Sequence, residues 1–118
     1  MGTHLLLTDS DNILTLHLDG QFCNSEFHAM LTDVRSHFDR ASAPMRILLV
    51  RHNFGFPPTD AQIETGKLLR HPGFGKIAVV GQPLFGGAVT DVMSALGGKR
   101  FQYFDTPEDA RAFLLAAA

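Results

Sequence analysis

Six histidines, one cysteine and a glycine-rich loop are the parts of this 118-residue chain whose types and spacing could do chemistry. The histidines are His4, His17, His28, His37, His52 and His71. Metal ligands on a helix want His-Glu-x-x-His spacing, so that both rings reach one ion from one face. His28 and His37 share a helical stretch but not that spacing. His52 stands best, at the exit of an apolar strand, where open α/β sheets gather their ligands. With Asp60 it would suit a small hydrolase or metal-dependent enzyme, which stands as an alternative reading. Cys23 precedes a helix whose N-terminus would favour a thiolate. No His–Asp pair lies near it in sequence, and a free thiol of this kind reads as a semi-buried, inert small hydrophobe. Gly81 to Gly87 fits neither Gly-x-Gly-x-x-Gly nor a Walker loop, and Pro83 removes an amide that a phosphate cradle would use. The acidic residues are dispersed, with no pair at glycosidase or two-metal spacing. No catalytic set, metal site or cofactor motif emerges.

Composition narrows the partners. An apolar fraction of 45% and a charged fraction of 19% belong to an ordinary globular protein. A domain of this length buries roughly two-thirds of the surface its unfolded chain exposes. Residues 1–118 therefore read as a single domain. A formal net charge of −2, with the Lys and Arg scattered, argues against a nucleic-acid surface. One cysteine excludes an internal disulfide and fits a reducing compartment. No signal-peptide pattern is visible, and no apolar run approaches the roughly 20 residues of a membrane span. These features predict a cytoplasmic protein that is not membrane-embedded.

The elements that must position these residues follow from hydrophobic periodicity. Thr3–Thr8 reads as a strand ended by the turn cluster Asp9-Ser10-Asp11-Asn12. Ile13–Asp19 alternates, with Leu14, Leu16 and Leu18 on one face and Ile13, Thr15, His17 and Asp19 on the other. The two make an antiparallel hairpin. Asn24 or Ser25 caps a helix with a single apolar stripe of Phe27, Met30, Leu31, Val34 and Phe38. Met45–Arg51 is a nearly continuous apolar run, the mark of a central strand with parallel neighbours. Thr59 to Gln62 has the form of a capping box before a weakly amphipathic helix, Ala61 to about Arg70. Lys76–Val80 is the next buried strand. Val89, Val92, Met93 and Leu96 mark a further helix, Lys99 or Arg100 to Phe104 the last strand. Thr106 caps a final helix with Pro107 at its first position, seated by Ala110, Phe113 and Leu114. The prediction is a single-domain α/β fold, ββαβαβαβα: a five-stranded mixed sheet, antiparallel in the N-terminal hairpin and otherwise parallel, with four helices.

Four segments carry a family resemblance over about residues 10–115. They are Leu14-Thr15-Leu16-His17-Leu18-Asp19-Gly20, Ile47–Val50, Phe74-Gly75-Lys76-Ile77-Ala78-Val79-Val80-Gly81, and Arg100–Phe104 followed by Glu108–Leu114. The pattern resembles the STAS-like family, that is, SpoIIAA-like proteins related to anti-sigma-factor antagonists and more distantly to the SEC14 lipid-binding fold. The resemblance implies a non-enzymatic regulatory module that binds a protein partner or an apolar small molecule; the SEC14 relation adds a lipid carrier as a further alternative. Anti-sigma antagonists carry an Asp-Ser-Ser-Gly type phosphoacceptor after the central strand. Pro57-Pro58-Thr59-Asp60-Ala61 stands there instead. Thr59 is the one hydroxyl on offer, a weak phosphoacceptor candidate with a capping role of its own.

Two surfaces follow from the predicted order. Loops after parallel strands leave at one edge of the sheet. That edge would collect Phe22, His52, Phe54, Phe56, Leu84 and Phe85, the expected ligand or partner site. If helices cover chiefly one side of the sheet, the other side would show Ile47 and Leu49, or Leu48 and Val50, as a homodimer face.

Overall fold

The computed structural model describes residues 2–9, 11–52, 59–81 and 100–116, with the backbone alone for 59–62. The strands are β1 (Thr3–Thr8), β2 (Ile13–Asp19), β3 (Met45–His52), β4 (Phe74–Val80) and β5 (Phe101–Phe104). The helices are α1 (Asn24–Arg40), α2 (Thr59–Leu68) and α3 (Pro107–Leu115). The expected helix around Val89 to Leu96 lies outside the described residues. One five-stranded sheet runs in the order β1-β2-β3-β4-β5. Its first pair is antiparallel and the other three are parallel.

Alternation decides the two faces. Leu14, Leu16 and Leu18 of β2 lie level with Ile47, Leu49 and Arg51 of β3, so their side chains share one face. The apolar stripe of α1 covers that face: Phe27, Met30, Leu31, Val34 and Phe38 are all buried. Leu68 and Leu69, at the end of α2 and just beyond it, join the same core. Consecutive right-handed crossovers between neighbouring strands advance across the sheet in one sense, which puts α1 and α2 on the same side.

The second face belongs to α3. Ala110 and Leu114 are fully buried against Ile13, Leu48, Val50 and Ala78. This corrects the expected homodimer face. Leu48 and Val50 are covered by α3, while Ile47 and Leu49 are covered from the other side, so the central strands show no bare apolar surface. The final helix has its own apolar stripe and crosses to the side its predecessors leave open.

Two cations fasten α3 there. Lys76 Nζ donates to the carbonyls of Phe113 at 3.1 Å and Ala116 at 3.0 Å, placing positive charge at the helix C-terminus. Arg111 donates to Asp9 at 2.8 Å and Asp11 at 2.7 Å, tying the helix to the β1–β2 turn. Burial opposes ionisation of Asp9. The Arg111 hydrogen bond and the N–H groups of Asp11 and Ile13 outweigh it and hold the carboxyl below its ordinary value. Asn12 closes that turn at φ 59°, a left-handed conformation that asparagine tolerates.

Local caps agree with the sequence at one helix and depart at another. Thr106 caps α3, accepting from the Asp109 N–H at 3.2 Å, with Pro107 at the first turn. At α1 the cap is Cys23, ahead of the expected Asn24 or Ser25. Glu26, three residues into the helix, accepts the Cys23 N–H at 3.0 Å and the Gly2 N–H at 3.2 Å. These bonds, the Cys23 ones foremost, hold the Glu26 carboxyl below its usual value. Helix α2 begins at Thr59 rather than Ala61. Its capping box falls on side chains outside the described residues.

Candidate functional site

The chain leaves β2 and β3 at the carboxyl edge of the sheet, and β1 enters there beside them. The parallel register sets Asp19 level with His52, while the antiparallel one sets Thr3 level with Asp19 and Leu5 with His17. Alternation then places Thr3, Leu5, His17, Asp19 and His52 on the second face of the sheet. Gly20 follows at φ 83°, where glycine turns the chain without a Cβ penalty, and its N–H donates to the His52 carbonyl at 3.2 Å. An open recess of about 440 Å3 results, lined by Thr3, His4, Leu5, His17, Asp19 and His52.

Within it the two imidazoles meet. His17 Nδ1 and His52 Nε2 are 3.2 Å apart, their ring planes 16° from parallel and their centroids 5.5 Å apart. The centroids stand farther apart than the nitrogens, so the rings meet edge to edge through those atoms rather than face to face. One ring donates and the other accepts, which requires that at least one stay neutral. The pair can pass or share a proton and presents its remaining nitrogens to a partner. Among the described residues, no three His, Cys, Asp or Glu side chains stand close enough to hold a metal ion.

The sequence-predicted residues divide sharply. His52 is exposed, as the last residue of β3 rather than the first of its exit loop. Phe22 is a correction: only 3% exposed, its ring packs edge-on to Phe27 with centroids 5.8 Å apart. Gly2 presses against that ring so closely that a Cβ there would come within 2.2 Å of it. Burying an aromatic ring gains more than exposing it at a rim, and Phe22 is a core anchor of the loop before α1. Phe54, Phe56, Leu84 and Phe85 lie outside the described residues. Thr59 is the first residue of α2; its side chain and that of Asp60 are likewise outside them. Cys23 is exposed at the α1 cap, not semi-buried, with its Sγ 3.2 Å from Ser25 Oγ.

His17 and Asp19 were the residues to add. The signal for them was present: both lie on the polar face of an alternating strand, and a parallel partner in register brings the end of β3 alongside. Two other histidines have structural partners, His4 donating to Asp33 and His71 to Asp39, each at 2.7 Å.

A second space lies within the first-face core. An apolar cavity of about 50 Å3 lies between the first face of the sheet and α1 and α2, lined by residues such as Leu18, Phe27, Met30, Leu49 and Leu68.

The architecture defines a class, a five-stranded mixed α/β domain, that solved structures share. A DUF3478-family protein with a SpoIIAA-like fold from Shewanella loihica PV-4 superposes with a TM-score of 0.66 at 18% identity. The match covers 96% of this chain and 93% of that one. An anti-sigma factor antagonist from Mycobacterium paratuberculosis superposes with a TM-score of 0.61 at 16% identity, covering 98% and 96%. No curated protein matches the sequence. The SpoIIAA-like family model matches residues 13–115, and the chain belongs to that family.

Proposed function

We propose that this chain is a non-enzymatic regulatory module that binds a protein partner at the carboxyl edge of its parallel strands. The observation that carries the reading is the exposed His17–His52 pair in its open recess at that edge. The segments that follow β3 and β4 leave from the same edge and contain Phe54, Phe56, Leu84 and Phe85. Paired imidazoles beside the exposed Leu5 offer a partner both hydrogen bonds and apolar area. The anti-sigma factor antagonist with the same fold supports a regulatory role. The chain does so without the phosphoacceptor motif, and we take it to be cytoplasmic; among the described residues no helix is long and apolar enough to cross a membrane.

An apolar small ligand is the second reading, and the interior cavity favours it. Its size sets a limit. A cavity of about 150 Å3 takes benzene, whereas one of about 50 Å3 is too small for a lipid chain without movement of α1 or α2. The lipid-carrier alternative therefore needs such an opening. The hydrolase alternative would need His52 and Asp60 to act together.

The test compares the intact chain with His52→Ala and with Phe54→Ser/Phe56→Ser as baits, scored by quantitative mass spectrometry and by melting temperature. A partner retained by the intact chain, lost from both variants at unchanged melting temperature, is the expected result. If the serine variant melts several degrees lower while every bait recovers the same proteins, the rings are core anchors and the edge is not the binding surface.

A further inference from the structure

We infer that the edge of β1, unpaired among the described residues, is a self-pairing surface, and that two copies of this chain join there in one antiparallel register to form a continuous ten-stranded sheet. Sheet edges in soluble proteins are usually blunted by charge, proline, bulges or a covering element. β1 reads Thr-His-Leu-Leu-Leu-Thr, with neither proline nor carboxylate, and pairs with β2 over its whole length without a register shift. The opposite edge, β5, has four residues bracketed by Arg100 and Asp105.

The backbone fixes which groups of β1 are free. The Gly20 N–H donates to His52 and the Asn12 carbonyl accepts from Arg46, so even-numbered residues of β2 turn their peptide groups toward β3. Odd-numbered residues, His17 among them, turn theirs toward β1. Their partners Thr3, Leu5 and Leu7 therefore point inward. His4, Leu6 and Thr8 present N–H and C=O to the outer edge.

One register satisfies all of these groups. A two-fold axis at Leu6, perpendicular to the sheet, sets Leu6 against its own counterpart and His4 against the second copy's Thr8. Each such pair exchanges two hydrogen bonds. Sliding the axis to Leu5 leaves the outward groups of Thr8 unpaired. With the axis at Leu6, Leu5 also faces the second copy's Leu7 as a non-hydrogen-bonded pair, the arrangement in which side chains approach most closely. Leu5 and Leu7 are the two most exposed large hydrophobic residues described, at 54% and 51%. The same symmetry sets the second copy's Asp9 beside Thr3, on the rim of the His17–His52 recess. Asp9 arrives with its charge offset by Arg111, which limits repulsion from Asp19. Six residues a side fall well short of the roughly 20–30 of a standard interface, so the dimer is weak and concentration-dependent.

Sedimentation velocity from about 1 µM to about 1 mM tests it, spanning the affinities such a seam supports. A monomer–dimer equilibrium is expected, abolished by Leu5→Lys/Leu7→Lys and by Thr8→Pro, which removes an outward N–H while sparing the β1–β2 ladder. For the register, Leu5→Cys and Leu7→Cys chains in a Cys23→Ser background are oxidised separately and mixed. Disulfide-linked dimers should form in the mixture and in neither chain alone. A chain monomeric at the highest concentration, dimers indifferent to Thr8→Pro, or cross-linking of the Leu5→Cys chain by itself would each overturn the inference.

Discussion

The two faces of this sheet are built to different standards. On the first, α1 and the end of α2 bury residues from β2, β3 and β4, and even the edge residue Leu6 packs against that core. On the second, α3 seals β3, β4 and Ile13 of β2 with Ala110 and Leu114, and among the described residues the rest of the β1–β2 half stays open, showing Leu5, Leu7 and the histidine pair. The closed regions hold the fold together. The open quarter carries the groups proposed above to meet other molecules, at little cost to the domain itself.

The largest effects should come from the sealed regions. Leu49→Ala on the first face and Leu114→Ala on the second each remove a buried leucine and should each cost about 2–5 kcal/mol in urea unfolding. If Leu114→Ala costs less than about 1 kcal/mol, α3 is a loosely held cover and the comparison fails. A smaller effect is expected at the clamp between them. Asp9 has its folded pKa lowered, so its contribution is present above the unfolded value near 3.8 and is lost as pH falls through the folded value. Asp9→Asn should cost no more than about 1 kcal/mol at pH 7 and should flatten the acid limb of the stability curve. An unchanged acid limb would show that Arg111 gains nothing from Asp9. The smallest effect belongs to the open quarter: Leu5→Ser or Leu7→Ser in dilute protein should shift unfolding by no more than about 0.5 kcal/mol. A larger loss would mean these side chains are buried in the monomer.

Most of the fold was legible because periodicity reports burial directly. Alternation in Ile13–Asp19 and the stripe from Phe27 to Phe38 each predict an element and its inward face, and both match the structure. The face taken by α3 was not legible. Its apolar stripe says that one side is buried but not against which side of the sheet. Phe22 failed for a related reason: a strand-to-helix loop reads as exposed, and only the approach of Gly2, distant in sequence, shows the ring enclosed. The position of His52 at the end of β3 follows from the rule about strand ends. Its partner depends on the β2–β3 register, which lies beyond any local pattern.

The Arg111 bridge has a kinetic consequence. It joins residues 102 and 100 positions apart, close to the longest separation this chain allows. Contacts closed over so much chain carry a loop-closure penalty and tend to form after the rate-limiting step. Strength added at this bridge should therefore slow the escape from the folded state far more than it hastens arrival there. The clamp acts as a latch on lifetime, setting how long the second face stays shut once the hairpin and the last helix have met.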